Sequence, residues 1–144
     1  MAARRKARKR ALDVLFEADQ RRLPIVEVLE SRVAYSGAET PLPAYTVEVV
    51  RGVGERLTEI DAAISAAAEG WTIDRMPAVD RAILRVAVWE VLWNPEVDAS
   101  VAISEAVELA SSLSTESSAS FVNGVLGTIA DIPPGPIASE ADPV

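Results

Sequence analysis

Between Pro77 and the pair Asn94-Pro95 runs a segment, Val79 to Trp93, that is apolar almost all the way round a helix. Projected at about 100° per residue, Val79, Ile83 and Val86 fall on one side and Val88 and Leu92 on the other. A helix that is apolar on both sides is a buried one, so this segment reads as the spine of a core. Pro77 suits its start, and Asn94-Pro95 ends it. Glu90 projects amid Val79, Ile83 and Val86 and is the acid most exposed to desolvation; a structural hydrogen bond is expected there rather than a catalytic role.

The other elements also repeat with helical period. A first helix reads from about Arg4 to Arg22, with Ala7, Ala11, Leu12, Leu15 and Ala18 at helical spacing. Pro24 opens a second, which runs to about Tyr35, and Ser36 to Pro43 is a loop. From Ala44 to Ala68 the pattern is helical again, and Gly52, Gly54 and Thr58 split it into two helices. After a connector at Gly70 to Pro77 comes the spine, and Ser100 is the expected cap of the next helix. That helix, Val101 to Leu113, sets Ser104, Glu105, Glu108, Ser111 and Ser112 on one polar face. Ser117 or Ser118 caps a last helix to about Asp131, which the Pro133-Pro134-Gly135-Pro136 tract cannot continue. The prediction is all-α: a single domain of six to seven helices over residues 1–131, followed by a Pro-rich disordered tail over 132–144.

Charge along the chain says more than its sum of −8. Six of the 14 basic residues are Arg4, Arg5, Lys6, Arg8, Lys9 and Arg10, while all 22 acids follow, so a head of +6 precedes a body of −14. The head attracts polyanions and the body repels them. With no histidine the chain lacks the usual general base and metal ligand, and with no cysteine it has no thiolate site. No Gly-rich phosphate cradle followed by Lys and Ser/Thr is present; Gly124 and Gly127 read as points of close helix packing. No catalytic residue, metal site or cofactor is therefore expected. The lack of an apolar run of membrane length or of a secretory leader, together with the lack of cysteine, sets the expected location in the cytoplasm, away from membranes.

By charge alone the basic head is equally a solvated arm, an anchor for acidic protein or anionic lipid, or a nucleic-acid contact. Geometry favours the last. On a helix Arg5, Lys9, Leu12 and Phe16 project within about 60° of one another over roughly 16 Å, so cations lead into an aromatic ring. That suits a single-stranded backbone followed by a base stacked on the ring. The competing reading sends Phe16 into the core, and Trp71, Trp89 and Trp93, none in a basic setting, are assigned to core or helix packing.

The string Met76-Pro-Ala-Val-Asp-Arg-Ala-Ile-Leu-Arg85, continued by Val-Ala-Val-Trp-Glu-Val-Leu92, resembles the central helix of the NusB family. Val101-Ala-Ile-Ser-Glu-Ala-Val-Glu-Leu-Ala110 and Phe121-Val-Asn-Gly-Val-Leu-Gly127 resemble its next two signatures, and Arg4-Arg5-Lys6-Ala7-Arg8 with Leu15-Phe16 its N-terminal motif. The resemblance implies two small helical bundles and a non-enzymatic role in RNA polymerase complexes that resist termination during ribosomal RNA transcription. Its implied partners are a short single-stranded RNA element, boxA, and the small-subunit ribosomal protein that acts as NusE; a homodimer stays open. By motif position Arg4, Arg5, Arg8, Phe16 and Phe121 match RNA-contact positions, joined by Lys6 and Lys9 from the charge pattern, and Asp80 matches an acidic partner-binding position or is a solvated acid near Arg81. Ser104, Ser111, Ser117 and Ser120 stand where relatives carry longer or charged side chains, so RNA binding is expected to lean on the N-terminal cluster and to be weak without the partner. Two alternatives remain: an RNA-recognition subunit of an rRNA-modifying enzyme, and a protein-interaction scaffold.

Overall fold

The computed structural model describes residues 2–131, and the tail expected over 132–144 lies outside them. Seven α-helices and one 3-10 turn make up the described chain: α1 (Ala2–Arg21), α2 (Ile25–Ala34), α3 (Ala44–Glu55), α4 (Leu57–Ala67), the turn Ile73–Arg75, α5 (Ala78–Trp93), α6 (Ala99–Leu113) and α7 (Ser118–Ala130). Helices α1, α2 and α3 pack on one another as one bundle; α4, α6 and α7 pack around α5 as the other. Helix α5 also packs against α1 and α3, so it belongs to both.

The spine expected from its apolar sides is indeed enclosed: Ala82, Ile83, Leu84, Val86, Ala87, Val88 and Trp89 are all buried. Its four charged residues tie it to three helices, α1, α4 and α7. Arg81 donates to Asp19 of α1 (2.5 and 3.0 Å) and to the carbonyls of Ile73 and Met76, which pins the connector. Arg85 pairs with Asp61 of α4 through two 2.9 Å bonds. Asp80 accepts from Ser114 and from Ser118 of α7, and Glu90 accepts from Arg8 of α1. Apolar area supplies the driving force, and these polar ties choose which helix lies where.

Local chemistry accounts for most boundaries. Helix α1 closes with Arg22 in the left-handed region (φ 56°) and the Leu23 amide donating back to the Ala18 carbonyl at 3.0 Å, a Schellman closure without the usual glycine. The 44–68 stretch divides as expected, at Arg56. Helix α6 begins at Ala99 with Asp98 at its N-cap, earlier than the expected Ser100. The Asn94 side chain accepts the Glu96 amide at 3.0 Å and its carbonyl accepts from Val97, tightening the turn so that the helix starts sooner. Ser117 holds the N-cap position of α7 without a side-chain cap bond, because its backbone is already helical (φ −85°, ψ −9°), and the neighbouring Ser118 is turned toward Asp80.

The close-packing glycine is not where the sequence suggested. A Cβ at Gly124 or Gly127 would meet nothing within 4 Å, whereas one at Gly52 would enter the Trp89 indole. Gly54, two residues on, is exposed, and its added Cβ would only touch Ile25 at 3.4 Å. Gly52→Ala should therefore destabilise by roughly 1–3 kcal/mol through overpacking, while Gly54→Ala should be neutral or stabilise by up to about 1 kcal/mol through helix propensity. Urea unfolding of the two variants reads the opposite signs.

Candidate nucleic-acid interface

The basic residues of α1 divide into two sets by helical position. Arg8 shares the stripe of Ala11, Leu12 and Leu15, at i+3, i+4 and i+7, and follows them inward: its side chain is only 4% exposed. Its Nε donates to both oxygens of Glu90 (2.9 and 3.0 Å), and Glu90 is 1% exposed. The Tyr45 hydroxyl donates to the same carboxylate and accepts from Asn94 Nδ2 at 3.1 Å. Burial, then the bond to Glu90, raises the Tyr45 phenol far above its ordinary range, so it is a fixed donor. The expectation of an RNA-facing Arg8 is thus corrected: it is the buried partner that Glu90 required.

The second set faces outward. Arg4 lies over the Tyr45 ring (4.4 Å to its centroid) and 3.6 Å from Glu96. Arg5 is exposed and donates through Nε and Nη2 to the two oxygens of Glu105 on α6, at 2.9 and 2.8 Å. Lys6 is exposed and makes no ion pair among the described residues. Lys9 pairs with Asp13 one turn on, and Arg10 donates to Thr40 of the 36–43 loop.

Phe16 is neither core nor fully free; at 39% exposure it walls a shallow groove of about 230 Å³ with Lys9, Leu12, Val79 and Leu113. The expected run from cation to aromatic ring is present on one face of α1. Across the first turn of α5 lies a second hollow, about 280 Å³, walled by Trp71, Pro77, Asp80, Ser117 and Phe121. Trp71, assigned to packing from the sequence, is half exposed and meets Phe121 edge to face with centroids 6.1 Å apart. The connector that carries Trp71 has no periodic pattern, so nothing in the sequence announced this pair.

Asp80 is 3% exposed, with Ser114 and Ser118 donating to its two oxygens at 2.5 and 2.9 Å. It is neither a solvated acid nor one presented outward: the chain between α6 and α7 folds over it. Ser104, Ser111 and Ser120 line a groove of about 760 Å³ between α6 and α7, floored by Ile103 and Val107, and Ser117 edges the Trp71–Phe121 hollow.

No group of His, Cys, Asp or Glu able to hold a metal occurs among the described residues, and no described helix is long and apolar enough to cross a membrane. What the molecule offers is a cationic helix with aromatic walls mounted on an acidic all-helical body. That arrangement defines the class: an all-α protein with a cationic first helix on an acidic body.

The NusB family model matches residues 5–131. The transcription antitermination protein NusB of Salinispora tropica is 57% identical over 134 residues, which cover 91% of this chain and 97% of that protein. Among solved structures, NusB of T. maritima superposes with a TM-score of 0.76 at 36% identity, covering 88% of this chain and 89% of that one. A crystal structure of antitermination factors NusB and NusE in complex with dsRNA matches with a TM-score of 0.77 at 27% identity, over 90% of this chain and 97% of the matched one. The chain belongs to the NusB family of transcription antitermination proteins, which are not enzymes.

Two predictions follow from the ion pairs. Arg8→Met strands a buried carboxylate and should cost about 3–5 kcal/mol, whereas Arg8→Met/Glu90→Leu should recover most of it; urea titration compares them. Glu105 is held below the ordinary glutamate range chiefly by its bond from Arg5, and Glu17 by its bond from Arg32. Their folded values are depressed, so their contribution is complete above the unfolded value near 4.3 and is lost as pH falls through the folded ones. Thermal melts should stay level from neutral pH to about 4.5 and fall below it, with a shallower fall in Glu17→Gln/Glu105→Gln.

Proposed function

We propose that this antitermination protein takes the backbone of a boxA-type single-stranded RNA along the exposed face of α1, together with the small-subunit ribosomal protein acting as NusE, during ribosomal RNA transcription in the cytoplasm. The observation that carries the reading is the single face on which Arg5, Lys9 and Phe16 follow one another, with Lys6 exposed beside it. Cations neutralise phosphates, and a partly exposed ring supports a stacked base. The Trp71–Phe121 edge offers a second aromatic surface on the far side of the α5 N-terminus. Arg8 serves this face indirectly by locking α1 to α5, and Asp80 serves the partner surface from behind by holding the turn from Ser114 to Ser118. The solved relative in complex with NusE and dsRNA supports NusE and RNA as the classes of partner.

The test is a titration of labelled boxA-like RNA with the protein, alone and with the ribosomal partner, at several salt concentrations. Partner-enhanced binding should weaken with salt at a log–log slope near −0.7 per phosphate contacted. Arg5→Glu/Lys9→Glu should weaken it roughly tenfold or more, since each reversed charge repels the phosphate it would neutralise. RNA binding that is indifferent to both changes would return α1 to the role of a solvated arm.

A further inference from the structure

The polar face of α6 touches the basic head at one place. Glu105, a hundred positions from Arg5 in the chain, fills the guanidinium fork of Arg5 with both of its oxygens, at 2.9 and 2.8 Å. A phosphate uses the same two-pronged geometry on an arginine. The pair lies at the surface, with the Arg5 side chain 56% exposed and that of Glu105 17%, where solvent ions compete with it. It is therefore exchangeable, unlike the buried Arg8–Glu90 pair. Glu105 also lies 3.8 Å from Arg8 Nη1, so it retains a cationic neighbour if Arg5 leaves.

We propose that Glu105 is an affinity-setting residue for RNA, an internal stand-in for a backbone phosphate that RNA must displace from Arg5 before it engages the first helix. The inference rests on the RNA-binding reading above. Displacement exchanges one anion for another on Arg5 and leaves the Glu105 carboxylate beside the incoming strand. A phosphate contact ordinarily releases a condensed counterion, but here the freed carboxylate attracts one back, so both the gain in affinity and the salt dependence are reduced. A lone phosphate gains little by the exchange. An RNA that also reaches Lys6, Lys9 and the Phe16 ring gains enough from those contacts to complete it, and its affinity then carries the cost of displacing Glu105.

The experiment compares wild type, Glu105→Gln, Arg5→Gln and the double variant, using a labelled boxA-like single-stranded RNA and an unrelated single strand of equal length across a series of KCl concentrations, with thermal melts to confirm folding. Glu105→Gln is expected to bind roughly two- to fivefold tighter at low salt, the range set by an exposed ion pair. Its log–log salt slope should be steeper by up to about 0.7. The gain should be the same or smaller for the unrelated strand, which displaces Glu105 no more completely, and should vanish when Arg5 is already Gln. Unchanged or weaker binding by Glu105→Gln overturns the proposal, and so does a gain that persists without Arg5, which would be a general charge effect. Failure of the RNA-binding reading looks different: every variant, wild type included, then ignores both strands.

Discussion

The ion pair of Arg8 with Glu90 joins α1 to the central helix α5 with both side chains buried. Neither charge could be buried alone, because an isolated carboxylate or guanidinium loses several kcal/mol of hydration on leaving water. Each therefore requires the other, and α1 can seat against α5 only in the register that brings them together. Tyr45 extends the constraint by donating to Glu90, and Asn94 donates in turn to Tyr45, which links α3 and the end of α5 to the pair. The outward set of α1 cations inherits its orientation from this buried one. With Arg8 turned in, Arg5 and Lys9 must face out and Arg4 must lie over Tyr45.

Helix α5 repeats the same logic along its length. A helix apolar on both sides can be covered in many ways of nearly equal hydrophobic energy, since burial is proportional to area and indifferent to direction. The charged residues remove that degeneracy. Asp80 finds only hydroxyl donors near α7, Arg81 a carboxylate on α1, Arg85 one on α4, and Glu90 a guanidinium on α1. The arrangement places the start of α5 between the two aromatic hollows, one walled by Phe16 and the other by Trp71 and Phe121. A net charge of −8 is thereby compatible with a polyanion ligand. The acids of the body neutralise parts of the head selectively, through Glu96, Glu105 and Glu90, and Lys6 has no ion pair among the described residues.

Most of the fold was legible because it is local. Periodicity located every helix to within a few residues, the loop at 36–43 and the division of 44–68, since hydrophobic spacing and proline chemistry act within one or two turns. The exceptions depend on contacts distant in the chain. Asn94 moved the start of α6, and Asp80 drew Ser118 away from capping. Gly52, not Gly124 or Gly127, met another side chain closely, because the Trp89 that presses on it belongs to a helix two elements later. In the site, the outward set of cations and the ring of Phe16 were legible from the helical projection. Arg8 was misplaced although it sits on the apolar stripe, because a basic run invites a single reading for all its members.

By itself the sequence determined the helices, the buried spine, the acidic body with a basic head, the absence of imidazole and thiol chemistry, and a family pattern spread over nearly the whole described chain. Those properties are sums or short-range periods, which a one-dimensional string carries in full. Tertiary structure decided which charges meet: Arg8 with Glu90, Arg5 with Glu105, and Asp80 with two serines in place of solvent. It also set Trp71 against Phe121 at the surface. An ion pair forms where two side chains from separate helices happen to converge. Its energy depends on the distance and the local dielectric at that place, and neither quantity exists until the helices have packed.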